Sequence, residues 1–193
     1  YLGIFLAAVI AVTVAGLDLS SIAIVAGALS VGIGFGLQNI VNNFVSGIIM
    51  LVERPVRNGD WIVVGDTEGY VQRISIRTTT IQTFDRADVI VPNSALISGQ
   101  VTNWTLENTW GRAKVQVGVA YGSDVPQALK ILLATAVQHE RVLDEPEPFV
   151  VFEGFGDNSL DLSLRCYIGS MEYRLMTMSE LNLVIDREFE AAG

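Results

Sequence analysis

Few side chains in this sequence are equipped for chemistry, and none of those is placed for it. A nucleophile needs a positioned base, yet the one histidine, His139, and the one cysteine, Cys166, have no companions. They make no metal-binding cluster either, so no metal and no cofactor are expected. A lone Cys166 forms no internal disulfide. The glycines of Gly32-Ile33-Gly34-Phe35-Gly36 do not follow the G-x-G-x-x-G spacing of a phosphate cradle, and no strand precedes them. The acidic run Asp144-Glu145-Pro146-Glu147 is broken by proline and reads as a solvated loop. Trp61, Trp104 and Trp110 suit packing better than ligand stacking. The chain is not expected to be an enzyme.

The elements that carry these residues show what the chain is built for. Half of the 193 residues are hydrophobic and 17% are charged, against roughly 25% charged in soluble domains. Residues 1–52 hold a single charge, Asp18, and all 12 Lys and Arg lie at or after Arg54. This asymmetry predicts a membrane segment followed by an aqueous part. Tyr1–Gly16 is apolar but shorter than the ~20 residues of a spanning helix, so its start is expected upstream and the protein to be multi-pass. Leu17–Ser21 reads as a turn, with Ser20 or Ser21 as the cap of the next helix. From Ile22 to Val52 no residue is charged.

Within that uncharged run, a period of 100° per residue places Ile24, Val31, Phe35 and Gln38 on one narrow stripe. Small residues flank it on both sides: Ala23, Gly27, Ser30 and Gly34 on one, Ala28, Gly32 and Gly36 on the other. Two such flanks admit two close neighbours. A ring of identical helices satisfies both, with the stripe lining its axis and Val31 and Phe35 forming an apolar constriction that closes by dewetting. A glycine-rich helix buried in a monomeric bundle is the other arrangement that fits. Farther on, Gln38, Asn39, Asn42, Asn43 and Ser46 form a polar stripe suited to the membrane surface or to a protein roof. This predicts a spanning half, Ser21–Leu37, and an interfacial half, Asn39–Glu53, with a break at Gln38-Asn39 or at Gly47. Arg54 and Arg57 are the first basic residues after the span, which puts 54–193 in the cytoplasm. Both are read as interfacial anchors or as ligands of anionic lipid headgroups.

After Pro55 and the Asn58-Gly59 turn the period falls to two. Trp61–Val64, Tyr70–Ile76, Thr78–Phe84 and Val89–Val91 read as strands of a small β-barrel or rolled sheet, with Pro92-Asn93-Ser94 as a structural turn. A strand (Ala113–Ala120), a helix (Val125–Gln138), two strands (Phe149–Phe152, Ser159–Ile168) and a helix (Thr177–Ala192) then suggest a ferredoxin-like α+β layer. The expected domains are 1–53, a truncated helix plus a kinked pore helix; 54–120, a β-domain; and 121–193, an α+β domain.

The stretch SVGIGFGLQNIVNNFVSGIIMLVERPVRNGDWI (Ser30–Ile62) closely resembles the pore helix and linker of the small-conductance mechanosensitive channel family. Its alternating small residues, Leu-Gln step, glycine nine residues later and Arg-Pro-x-Arg-x-Gly-Asp exit all match. Gly69–Val71, Arg77–Ile81 and Val91–Leu96 similarly match elements of that family's β-domain. The resemblance implies a bacterial inner-membrane homoheptamer that opens under tension and releases ions and small solutes on hypo-osmotic shock. It further implies a cytoplasmic vestibule of Sm-like β and α+β domains, with Val31 and Phe35 as the sealing rings. Asn39 stands where the best-known member has a hinge glycine, so Asn39 and Gly47 are both hinge candidates. The family's closing Pro-containing strand lies past the end of this sequence, and larger relatives carry further spans upstream.

A membrane-tethered Sm-like binding module is the rival reading. Nucleic-acid binding needs a basic surface, however, and 54–120 carries seven basic against six acidic residues, 121–193 five against thirteen. No nucleic-acid partner is expected. A coupled transporter would need an ionisable group in the second span, which has none.

Overall fold

The second helix dominates the structure, a computed structural model that describes residues 1–14, 16 and 19–193, with the side chains of 2, 5, 19, 21 and 22 left aside. Helix α1 (Leu2–Val14) is short, at 1.5 Å per residue roughly 20 Å. Helix α2 (Leu19–Glu53) runs roughly 52 Å. Among the described residues α2 provides the one segment, Ala23–Glu53, long and apolar enough to cross a membrane. Of the turn expected at Leu17–Ser21, Leu17 and Asp18 lie outside the described residues. Ser20 lies inside the first turn of α2, as does Ser21, so neither takes the cap position outside the helix. The break expected at Asn39 or Gly47 does not occur either, for α2 is helical without interruption through both.

A five-stranded antiparallel sheet follows, from β1 (Trp61–Val64), β2 (Thr67–Ile74), β3 (Thr78–Thr83), β4 (Asp88–Pro92) and β5 (Val101–Asn103), in the order β4-β3-β2-β1-β5. Pro92-Asn93-Ser94 is not a turn between strands: β4 ends at Pro92 and a short helix, α3 (Asn93–Ser98), begins at Asn93. Proline fits there because a strand end needs no further ladder donor. The core of this domain is Val56, Ile62, Val71, Ile81 and Leu96, completed by Met50 from α2. Burying Met50 to 1% exposure contributes about 1.5–3 kcal/mol, which binds the lower end of α2 into the β-domain.

The last domain is a three-stranded sheet, β6 (Gly111–Val119), β7 (Phe149–Phe155) and β8 (Leu160–Ile168), ordered β6-β8-β7. Helices α4 (Val125–Gln138) and α5 (Arg174–Ala192) cover one face over a core that includes Val115, Leu132, Leu164 and Leu181. The order of elements and strands is ferredoxin-like, as expected. The boundary expected at 120 is wrong by ten residues. Strand β6 pairs along its length with β8, so the α+β domain begins at Gly111. The strand expected at Ala113–Ala120 already belongs to the α+β layer by its order of elements, so a boundary at 120 cuts that layer off from its own first strand. With the boundary moved, 54–110 carries five basic and six acidic residues, and 111–193 seven and thirteen.

Hydrogen bonds fasten the two domains together. Met171 N–H donates to Thr109 O at 2.7 Å, and Thr109 Oγ1 to Gly169 O at 2.8 Å. The Tyr70 hydroxyl donates to Glu172 Oε1 at 3.1 Å. Burial first, then the adjacent carboxylate, pushes the Tyr70 hydroxyl up to about 12, so it stays a donor at all physiological pH. The segment after α4 is tied to α5 by Arg141 Nη1 to Glu180 Oε2 at 2.6 Å, and that guanidinium holds the Glu180 carboxyl below its usual range.

On the open face of the second sheet, Glu153 sits at a bulge between β7 and β8. It accepts from Ser163 Oγ at 2.7 Å and from Arg165 Nη2 and Lys114 Nζ, both at 2.9 Å. These donors, the Ser163 hydroxyl foremost, hold its carboxyl at about 2. A carboxyl depressed on folding stabilises fully above its unfolded value of 4.5 and loses that contribution as pH falls toward 2. Thermal unfolding across pH 7 to 2 tests this. Glu153→Gln is expected to melt lower at pH 7 and to show a flatter loss of stability below pH 4.5.

Candidate functional site

The stripe of Ile24, Val31, Phe35 and Gln38 lies on the upper part of α2, where the described residues offer no core to pack against. Phe35 is 74% exposed, Ile24 73% and Val31 59%. Gln38 and the flanking Ala23, Gly27, Ala28, Ser30, Gly32, Gly34 and Gly36 are exposed as well. The Ser30 hydroxyl donates to Ala26 O at 2.7 Å, so it brings no unsatisfied donor to an apolar surface. A Cβ added at Gly27, Gly32, Gly34 or Gly36 would meet no atom of this chain within 4 Å. Among the described residues nothing packs against these glycines.

Gly47 is the opposite case. A Cβ there would strike the carbonyl oxygen of Ile76 and come within 2.7 Å of Asn93 Nδ2. Gly47 is a close-packing position that lets α2 rest on the β2–β3 turn, which explains why its helix continues instead of bending. The polar stripe takes part in the same seat. Ser46 is buried, and Asn43 Oδ1 accepts the Ser94 N–H at 3.0 Å, satisfying a free amide in the first turn of α3. The Asn43 amide donates back to Asn39 O at 2.8 Å within an intact helix. Asn43, Ser46, Gly47 and Met50 thus form a docking face, while Gln38, Asn39 and Asn42 of the expected polar stripe are exposed.

Asn93 anchors the other side of the seat and was not singled out from sequence as more than turn chemistry. It is fully buried, accepts from Thr79 Oγ1 at 2.9 Å, and donates to Ser75 O at 2.9 Å and Ile76 O at 3.2 Å. Its backbone N–H donates to Arg77 O at 3.0 Å. The signal that could have found it is an amide two residues past a β run, placed to satisfy a hairpin's carbonyls.

Arg54 and Arg57 end the helix. Arg54 has φ 52°, the left-handed conformation common after a helix, and its N–H reaches Met50 O at 3.1 Å. Arg57 N–H donates to Asp60 Oδ2 at 2.8 Å, an oxygen that also accepts from Asn103 Nδ2 at 2.7 Å. Both arginines are exposed beside a cavity of about 280 Å³ lined also by Met50, Leu51, Val56 and Ile74. Among the described residues no group of three or more His, Cys, Asp or Glu is placed to hold a metal. Cys166 is buried in the core, and burial pushes its thiol up to about 11, away from reactivity.

Comparison with known proteins fits this geometry. Residues 39–106 match the description "Mechanosensitive ion channel, beta-domain", and 113–193 match "Mechanosensitive ion channel MscS, C-terminal". An MscS family protein of Archaeoglobus fulgidus, itself uncharacterized, is 34% identical over the whole chain, which covers 68% of that relative. The chain belongs to the MscS family. The mechanosensitive channel MscK of Escherichia coli is 50% identical over 153 residues, 79% of this chain but 14% of MscK. The MscS fold is also evident in structure. The closed-state crystal structure of Helicobacter pylori MscS superposes with a TM-score of 0.81 at 23% identity, covering 92% of this chain and 72% of that one. The family's β-domain match starts at Asn39, inside α2, in agreement with the docking face described above.

Two substitutions separate seat from span. Gly47→Ala is expected to cost about 1–3 kcal/mol, as overpacking does where backbone cannot give way. Gly32→Ala is expected to leave monomer stability unchanged within about 0.5 kcal/mol. Asn43→Ala removes the bond to Ser94 and is expected to cost about 1 kcal/mol. Denaturant unfolding followed by fluorescence of Trp61, 9% exposed in the β-domain, reads all three.

Proposed function

We infer that this chain is the conducting and cytoplasmic part of a tension-gated channel. The chain spans 14–17% of the length of the first three relatives it matches, so this reading extends to a larger protein. The observation that carries it is the contrast along α2. Its lower end is locked into the β-domain, while its upper end exposes an apolar stripe between two small-residue flanks that no atom of the chain fills. A homo-oligomeric ring, seven-membered by family resemblance, accounts for both flanks at once. In that ring Val31 and Phe35 face the axis and exclude water when closed, with Ile24 and Gln38 lining the pore beyond them. Arg54 and Arg57 then stand at the cytoplasmic side of a bacterial inner membrane, within reach of anionic headgroups. Residues 54–193 hang below as a vestibule through which ions and small solutes pass.

Patch-clamp recording of the full-length protein in liposomes under graded suction is the direct test, and silence up to membrane rupture overturns the reading. Val31→Asp and Phe35→Ser are expected to wet the constriction and open at lower tension. Wild-type thresholds in both would place the stripe away from the pore. Gly32→Leu and Gly34→Leu are expected to hinder assembly or to raise the threshold, because added bulk has no space at a close helix contact.

Charge predicts the ion preference. Residues 111–193 carry a net −6 per subunit, and a ring multiplies this around one enclosed volume. Cations are expected to be favoured weakly at low ionic strength, with the preference fading near 1 M salt, where the Debye length is ~3 Å. Reversal potentials in a KCl gradient decide it, and a clear anion preference at low salt would contradict the electrostatic argument.

A further inference from the structure

Two exposed helix stripes remain unused by the fold. They lie on opposite flanks of the α+β domain. Helix α5 packs over β6 and α4 over β7 and β8, and β6 and β7 are the two outer strands of the sheet. On α4, Lys130, Leu133 and Val137 recur at i, i+3 and i+7, all exposed, with Val137 at 60%. They lie on the opposite side of α4 from Ala128, Leu132 and Ala136, which are buried in the core shared with Leu181 and Ile185 of α5. On α5, Leu183, Asp186 and Glu190 recur at the same spacing, with Leu183 70% exposed, on the side opposite the buried Leu181 and Ile185.

The stripes are complementary. Each has an apolar end and a charged end: Lys130 on α4, and Asp186 and Glu190 on α5, where the exposed Arg187 beside them leaves a net −1. Val137 to Lys130 and Leu183 to Glu190 are both seven-residue steps, roughly 10 Å along their helices. Laid antiparallel with Leu183 on Val137, Glu190 falls opposite Lys130, while Asp186 and Arg187 fall opposite Ala134 and Leu133. Because the stripes sit on different flanks, a contact between them joins unlike surfaces of two copies. Such a head-to-tail contact builds a ring when its rotation closes, whereas a like-with-like contact stops at a dimer. It also sets apolar burial and one local attraction against the repulsion between neighbouring domains of net −6.

We propose that α5 of one subunit docks antiparallel on α4 of the next through these stripes, forming the vestibule's subunit interface; this rests on the ring reading above. The test uses the full-length protein in liposomes, with native Cys166 left in place because it is buried. Val137→Cys with Leu183→Cys, treated with a short bismaleimide, is expected to give a ladder of covalent oligomers on a denaturing gel. Either cysteine alone is expected to give none. Lys130→Glu is expected to lower the yield of complete rings about two- to five-fold at low salt, the scale of an exposed ion pair. Adding Asp186→Lys and Glu190→Lys is expected to restore it. Mass photometry on the same samples separates the failures. Intact rings with no ladder, or ladders from the single cysteines, overturn the interface alone. A monomer in every sample overturns the interface together with the ring reading.

Discussion

The structure turns on one buried amide. Asn93 has three side-chain hydrogen bonds to groups of the β2–β3 hairpin, so the hairpin turn is held at one height and one orientation. Everything about α2 follows from where that turn sits. Gly47 rests on the Ile76 carbonyl, Asn43 caps α3 one residue beyond Asn93, and Met50 enters the core below. A buried polar group left without partners costs about 1–3 kcal/mol, so this site is specified by what it would lose as much as by what it gains. It fixes the helix's register on the domain, since a shift by one residue would put a Cβ where only glycine fits.

This seat explains why α2 is unbroken. Asparagine and glycine are ordinarily signs of a helix ending, because the first competes for backbone partners and the second is costly in helix interiors. Here both are spent on contact with a neighbouring domain. Asn43 turns its carbonyl oxygen outward to a foreign amide while its nitrogen bonds the preceding turn of its own helix. Local propensity is overruled by packing, and an isolated peptide of this sequence would not reveal it.

The sequence was most legible where a single periodicity governs a stretch. Helix α4 was expected at Val125–Gln138 and lies there, because its cap Asp124, its early Pro126 and its apolar stripe all agree. The strands of the β-domain were legible for the same reason. The domain boundary was less so: the order of elements put the strand at Ala113–Ala120 in the α+β layer, and the ladder with β8, some fifty residues away, sets the start of that layer at Gly111. Asn93 was hidden by a sufficient explanation: Pro-Asn-Ser is good turn chemistry, and nothing local says that the amide points inward. The positions named for the span, Val31 and Phe35 among them, could be placed by angle alone, as one helix fixes its own geometry. Among the described residues nothing covers them.

The contact at Gly47 has one more property. It joins a helix backbone to a carbonyl with no side chain between, so it has no soft rotamer to absorb a load. It behaves as a fulcrum. Phe35 lies twelve residues above it, roughly 18 Å along the helix, and Val31 roughly 24 Å. A tilt of α2 by about 5° about that point would carry Phe35 sideways by roughly 1.6 Å and Val31 by roughly 2 Å, given helix geometry alone. In the ring proposed above, radial movements of that size on every member would widen a narrow apolar throat by twice as much across its diameter. A stiff contact at Gly47 would there convert a small change of helix angle into a larger change of aperture.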